Sequence, residues 1–404
     1  MVSYREIVRG HTGPFFGITF VFVVGRQDQN RPQFMAHVLI IEGFSRALVY
    51  FRLPLIRMLQ RAGHEVTVAT CFEDGDGVRA SMQDMGVRCE HLPIVRNRIR
   101  PIGDLMLLWS MWRLMRRSRP DVLLTWTLKP NLYGPLAGRL AGVNRIGIVV
   151  CGLGRLLLRR GFLSRLGWWM LRASARRTDC VFVQNQDDLL SLQDHGVVGA
   201  TEGPVLTAGC GVDLDAFPVA PLPDQPVVLM LARLLASKGV HEYIEAAAIV
   251  RRQQPEVRFR LAGLFETGND AVSESSIDAA VERGDVEYLG FLESQDMVRD
   301  AIRRSSLYVL PSWHEGTPHS TLEAMSMGRA VVTTDVRGCR ETVVDGLNGR
   351  LVPWKDSEAL GAAILGVLGC AGQLASMGAE SRKRAEDLFD ADRVGALIMS
   401  KIGL

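Results

Sequence analysis

The chain has 404 residues, 47% of them hydrophobic and 23% charged; this is a folded, globular composition that excludes disorder and collagen-like structure, and the length calls for two domains of roughly 150–200 residues. Seven cysteines are scattered without a C-x-x-C pair, which argues against a disulfide framework or a zinc site and for a reducing compartment such as the cytoplasm. Net charge is only +3, yet residues 92–178 hold 17 Lys or Arg against Asp104 and Asp121 alone, and so concentrated a cationic field expects an anionic partner.

Residues 1–34 read as a loosely ordered N-terminal extension. Their apolar run FFGITFVFVVG (15–25) is shorter than the ~20 residues a membrane-crossing helix needs, and no small-residue cleavage site follows it. Met35 opens MAHVLIIEGFS, where the folded region begins. HVLII (37–41) reads as a buried strand, a helix is expected from Ala47 to Ala62, and EVTVAT (65–70) is the next strand. GVRCEHLPI, DVLLTW, RIGIVV and DCVFVQN continue the series with helical segments between them. Four prolines in FPVAPLPDQP interrupt it, since neither helix nor central strand tolerates them. The pattern then restarts with VVLMLA, a helix over 240–253, VRFRLAG, VEYLG, SLYVLP, AVVTTD and GRLVP. Such alternation predicts α/β architecture, two doubly wound Rossmann-like domains of parallel strands facing a cleft. The boundaries expected are 35–216, a linker at 217–224, 225–385, and a C-terminal helix in 386–404 that packs back on the first domain.

The chemistry concentrates in the second domain. After SLYVLP comes SWHEGTPHSTLEAM, a strand running through a Gly-containing turn into a helix that Ser320 or Thr321 is expected to cap. A helix amino terminus of this kind attracts anions, because its first N–H groups are unpaired and its dipole favours negative charge. Glu315 in the loop and Glu323 in the first turn stand eight positions apart, and carboxylates at a phosphate site fit hydroxyl groups attached to the phosphate, such as ribose and a sugar. Following VVLMLA, Arg233 and Lys238 lie five apart in RLLASKG, where two cations can hold a diphosphate and stabilise charge growing on a leaving group. The turn after HVLII lacks G-x-G-x-x-G, which argues against a dehydrogenase.

The pattern R-x4-K-G, followed by E-G-x-P-x-S-x-x-E-A-M-x-x-G, resembles the retaining glycosyltransferases of family 4, which have the two-Rossmann-domain GT-B fold. The likeness spans most of residues 35–390. WTLKPNLYGPLAGRLAG, GLG, VQNQDD, GCGVDLDAF and GCRETVVDGLNGRLVP resemble the branch that builds bacterial O-antigens, capsules and lipid-linked oligosaccharides. The resemblance implies that Arg233 and Lys238 grip the donor diphosphate, that Glu323 binds ribose, and that Glu315 faces the donor sugar. It implies a donor-binding segment of Gly316, Thr317, Pro318, His319, Ser320 and Thr321, in which backbone N–H groups around Thr317 to Thr321 hold the distal phosphate, and that Phe291 positions the base. On the acceptor side it implies Gly43, Phe44 and Ser45 after the first strand, with Lys129 and Asn131 after DVLLTWT. Where many family members carry a first-domain His, this chain reads VVCGLG, which leaves no side-chain base there and fits a front-face route. Arg233 and Lys238 already supply positive charge, so no cofactor or metal is expected; the D-x-D sequences at Asp74 and Asp76 and at Asp213 and Asp215 lie off the donor loop.

The basic region mixes Trp109, Trp112, Arg116 and Arg117 with Arg159, Arg160, Trp168 and Trp169. Tryptophan and arginine together suit an anionic membrane surface, the ring at headgroup depth and the guanidinium on phosphates; no nucleic-acid-binding module accompanies the charge. These features yield one expectation: a nucleotide-sugar donor, UDP-linked and N-acetylated by family branch, and a polyprenyl-diphosphate-linked saccharide acceptor at the inner face of the cell membrane. The alternatives are a sugar-nucleotide 2-epimerase of the same fold and a non-catalytic membrane- or anion-binding protein.

Overall fold

The computed structural model describes residues 35–404 except 73–76, 96–99, 155–156, 158–160 and 200–202. The first sheet contains β1 (His37–Ile41), β2 (Glu65–Thr70), β3 (Arg88–His91), β4 (Val122–Trp126), β5 (Arg145–Val150), β6 (Cys180–Val183) and β7 (Val205–Leu206). They run parallel in the order β3-β2-β1-β4-β5-β6-β7. The second contains β8 (Val227–Leu231), β9 (Arg258–Ala262), β10 (Glu287–Tyr288), β11 (Leu307–Leu310), β12 (Ala330–Thr334) and β13 (Gly349–Val352). Its strands too are parallel, in the order β10-β9-β8-β11-β12-β13. Each order reverses once, between β1 and β4 and between β8 and β11, which is where open parallel sheets place their ligands, beyond the carboxyl ends of the strands. The central strands β4, β8 and β12 are buried throughout, as expected when helices cover both faces.

The helices are α1 (Leu53–Arg61), α2 (Val78–Asp84), α3 (Pro101–Ser118), α4 (Leu128–Ala141), α5 (Phe162–Ala175), α6 (Gln186–Asp194) and α7 (Val240–Gln253). Then follow α8 (Glu274–Glu282), α9 (Gln295–Arg303), α10 (His319–Ser326), α11 (Ser357–Leu368), α12 (Ala371–Leu388) and α13 (Ala391–Ile402). The helix expected over 47–62 divides into a π-helical turn, Leu48–Arg52, and α1. Pro54 sits at the start of α1 and has no N–H to donate backwards, so the ladder is interrupted ahead of it. The two-residue edge strand β7 has no counterpart in the sequence reading, because a pair of residues carries no periodicity.

The linker is fastened to the second domain. Arg329, fully buried, donates to the carbonyls of Ala220, Pro221, Ile302 and Arg303. Helix α13 carries the chain back to the first domain, where Val394, Ile398 and Ile402 join the core under β1 and β4. All seven cysteines are free thiols. No single helix among the described residues is long and apolar enough to cross a membrane.

Candidate functional site

The carboxyl ends of β8 and β11 bring the second-domain residues together. Beyond β8, a single 3-10 turn (Ala236–Lys238) ends at Gly239, whose φ is +77° and whose Cβ, were there one, would stand 2.1 Å from the carbonyl oxygen of Pro311. Only glycine fits that close approach, and it is what swings Lys238 toward the loop after β11. Lys238 Nζ lies 2.5 Å from Glu315 Oε1, with both side chains largely out of solvent. Ser312 Oγ donates to the same carboxylate oxygen at 2.8 Å. Arg233 pairs instead with Glu266 at 3.1 Å and stays half exposed, an arrangement that a more highly charged ligand can displace at small cost.

Helix α10 starts at His319, and the N-cap position belongs to Pro318, which provides no side-chain acceptor. This corrects the expected cap: Ser320 Oγ donates to the carbonyl of Leu231 and accepts from Tyr308, while Thr321 Oγ1 is buried with no partner. The backbone N–H groups of Thr321 and Leu322 both return to the Pro318 carbonyl, so the Thr321 amide is already committed and is not available to a phosphate. Glu323 lies in the second turn rather than the first, and its Oε1 is 3.1 Å from His319 Nδ1 one turn earlier. Gly316, Thr317 and Pro318 form the approach to that helix.

The first domain meets the second in two sets of contacts around this site. In one, Phe51 packs edge-on against the His319 ring at 4.9 Å, Tyr50 donates to the carbonyl of Glu293 at 3.4 Å, and the Arg46 guanidinium stands 5.3 Å over the Phe291 ring. In the other, Asn185 Nδ2 donates to the carbonyl of Gly316 at 3.0 Å and Thr317 Oγ1 donates to that of Gln184 at 3.3 Å. Arg337 reaches across to Asp188 (2.8 Å) and Ser191 (3.0 Å) of α6. Glu341 accepts the N–H of Gln186 at 2.6 Å; its burial pushes the carboxyl up to about 7. None of these first-domain partners was legible as a contact in the sequence, although VQNQDD stood out as a segment.

The residues expected on the acceptor side divide. Gly43 follows β1 beside the Thr127 hydroxyl, its N–H donating to the carboxylate of buried Glu42; Phe44 is half-buried and Ser45 buried. Lys129 Nζ is held 2.6 Å from Asp104. Asn131 is a correction: it is buried, accepts from Thr125 and donates to the carbonyl of Val149, so its amide ties α4 to β4 and β5 and reaches no cleft. Burial raises the Cys151 thiol, so no thiolate base stands where VVCGLG ends β5.

Trp168 is a further correction. It is 7% exposed, donates its indole N–H to the carbonyl of Leu157 and stacks on His195 with ring centroids 3.8 Å apart. Adjacent tryptophans on a helix point about 100° apart, and only Trp169 faces outward, at 66% exposure. Trp109 and Trp112 are exposed on α3, together with Ile102, Leu105 and Met106, which composition did not single out; Phe162, Leu163 and Leu166 do the same on α5. Arg116 and Arg117 are exposed, the latter paired with Glu90. Arg159 and Arg160, like Asp74 and Asp76, lie outside the described residues. Asp213 turns its carboxylate onto the N–H groups of Asp215 and Ala216.

Residues 49–209 match a family described as glycosyl transferase 4-like domain, and residues 214–384 match glycosyl transferases group 1. The N,N'-diacetylbacillosaminyl-diphospho-undecaprenol alpha-1,3-N-acetylgalactosaminyltransferase of Campylobacter jejuni is 24% identical, over 79% of this chain and 85% of that one. The UDP-Gal:alpha-D-GlcNAc-diphosphoundecaprenol alpha-1,3-galactosyltransferase of Escherichia coli is 24% identical, over 70% and 76%. Among solved structures, Anabaena HepE in complex with UDP-glucose aligns with a TM-score of 0.73 at 20% identity, covering 91% of this chain and 99% of that one.

Proposed function

The chain belongs to the family 4 type of GT-B glycosyltransferases, and from that premise we propose that it transfers a hexosyl or N-acetylhexosaminyl group, with retention, from a nucleoside diphosphate sugar to a polyprenyl-diphosphate-linked saccharide in surface polysaccharide assembly. UDP with an N-acetylated sugar is the donor in this reading. Two relatives named for diphospho-undecaprenol-linked sugars support the acceptor class.

One observation carries it: Lys238 and Glu315, 2.5 Å apart at the carboxyl ends of β8 and β11, meet beside the start of α10, and Arg233 follows β8 in the same segment as Lys238. A diphosphate entering here attracts Lys238 and Arg233 away from their carboxylates, leaving Glu315 to accept sugar hydroxyls and Glu323 those of ribose. The bond from the anomeric carbon to the phosphate oxygen breaks, the acceptor oxygen attacks from the same face, and the leaving phosphate oxygen takes the acceptor proton. The two cations stabilise the charge that grows on that oxygen. No metal has a task in this scheme, and transfer in excess EDTA at the unchelated rate is expected.

The acceptor of this reading lies in a membrane. The exposed faces of α3 and α5 set Trp109 and Trp169 among apolar side chains flanked by arginines, the pattern of a helix lying at a bilayer interface. An epimerase would have no use for that surface.

The test is to incubate the chain with UDP- and GDP-sugars and a short polyprenyl-diphosphate saccharide, and to identify products by mass and anomeric configuration. Lys238→Ala and Glu323→Ala are each expected to lose at least ~100-fold in rate; transfer at wild-type rate by either variant would place the site elsewhere.

A further inference from the structure

The segment VQNQDD has no task in the reaction scheme above, yet it touches the donor loop through Gln184 and Asn185 and meets Arg337 and Glu341 behind it. Asn185 is the N-cap of α6, its Oδ1 accepting the N–H of Asp188. Its amide nitrogen is then free to do two other things. It donates to Asp188 Oδ2 at 2.9 Å and, across the cleft, to the Gly316 carbonyl at 3.0 Å. Asp188 is fully buried, and its other oxygen takes the Arg337 guanidinium at 2.8 Å. A buried carboxylate needs such a partner, since one left alone would cost several kcal/mol; Asn185 serves one oxygen of this socket from within the first domain, and Arg337 of the second domain supplies the cation on the other.

Arg337 carries the contact onward. Its backbone carbonyl accepts the N–H of Glu315 at 3.1 Å, and the Glu315 carboxylate holds Lys238. A continuous set of hydrogen bonds thus runs from Asp188 and Asn185 through Arg337 and Gly316 to the two residues assigned to the diphosphate and sugar. We propose that Asn185 and Asp188 are positioning residues for the donor loop. They hold residues 315–317 in the geometry for transfer only while the domains are closed, so the first domain gates chemistry on the second without touching the donor. This rests on the glycosyltransfer reading given above.

Asn185→Ser keeps the helix cap, because serine accepts the same N–H, but is too short to reach Gly316. Arg337→Ala removes the other half of the socket. For each variant three quantities are read: single-turnover transfer, UDP affinity and stoichiometry by calorimetry, and amide hydrogen exchange over 314–321 without ligand. The expected result is transfer lowered about 10-fold or more with full UDP stoichiometry, UDP affinity within threefold of wild type, and faster exchange confined to the loop. The double variant is expected to lose no more than threefold beyond the worse single one, since both act through one loop. Unchanged loop exchange, transfer within twofold of wild type, or losses that multiply in the double variant each overturn the proposal. A merely structural role would lower UDP stoichiometry and melting temperature with transfer per bound UDP unchanged, and this also overturns it. A wild-type chain that binds no UDP overturns the functional reading instead, and loop exchange, which needs no ligand, tells the two failures apart.

Discussion

Lys238 Nζ and Glu315 Oε1 stand 2.5 Å apart although their residues are separated by 77 positions, and both side chains are mostly shielded from water, at 17% and 13% exposure. At that depth each charge requires the other until a ligand arrives. Lys238→Ala is therefore expected to act twice, lowering transfer by ~100-fold or more and lowering stability by about 1–3 kcal/mol, because Glu315 is left without its cation. Adding Glu315→Gln to Lys238→Ala should restore most of the stability and none of the activity. Thermal melts beside transfer rates check this; recovery of both together would mean the pair is a structural ion pair only.

The two neighbouring tryptophans of α5 are expected to behave oppositely. Trp168→Ala removes a ring packed on His195 and should cost about 3–5 kcal/mol, with liposome binding per folded molecule unchanged. Trp169→Ala combined with Trp109→Ala should leave the melting temperature within a few degrees of wild type and cut co-sedimentation with anionic vesicles several-fold. Equal binding by the double variant would remove α3 and α5 from the membrane surface.

Gly338 has φ +76°, and a Cβ there would lie 2.1 Å from the carbonyl oxygen of Gly316. Gly338→Ala is expected to destabilise by at least about 2 kcal/mol and to lower transfer, since relief of the clash must push Glu315 and Gly316 out of place. Gly346→Ala, at φ +78° with nothing within 4 Å of the added carbon, should cost only about 1 kcal/mol and spare activity. Chemical denaturation of the two variants compares them directly; equal costs would show that backbone strain alone is felt at Gly338.

Glu341 links the domains and titrates near neutrality. Burial raises its carboxyl to about 7 from 4.5, assisted by Asp187 and Asp188 and opposed by the Gln186 N–H and by Arg384. Between about pH 4.5 and about pH 7 the folded chain keeps a proton that the unfolded chain has lost. Stability from this group therefore falls as pH rises through that window, by roughly 2–3 kcal/mol, and is level above it. Glu341→Gln stays neutral and still accepts the Gln186 N–H, so it should melt higher than wild type at pH 8 and equal to it near pH 4.5. An identical pH dependence in the two proteins would contradict the assignment.

Most of the architecture was legible along the chain. Buried parallel strands are short continuous apolar runs with glycines and polar loops between them, and EVTVAT, RIGIVV and the helix over 240–253 coincide with β2, β5 and α7 to the residue. The helix start at α10 was misplaced by two or three positions, because Ser320 and Thr321 have the chemistry of caps while their hydroxyls are directed inward, to Leu231 or to no partner. Asn131 was misread for a related reason: an amide after a strand looks the same in sequence whether it faces a cleft or joins α4 to the sheet.

By itself the sequence determined two parallel α/β domains, the two segments that carry Arg233, Lys238, Glu315 and Glu323, and a cationic first domain, because each is written in local periodicity or in residues closely spaced along the chain. Only the tertiary structure decided that Lys238 sits on Glu315, that Trp169 is outside while Trp168 is core, and that VQNQDD meets the loop after β11. Those relations join segments far apart in the chain, and their geometry is set by strand order, helix rotation and the approach of two domains, none of which has a spacing signature.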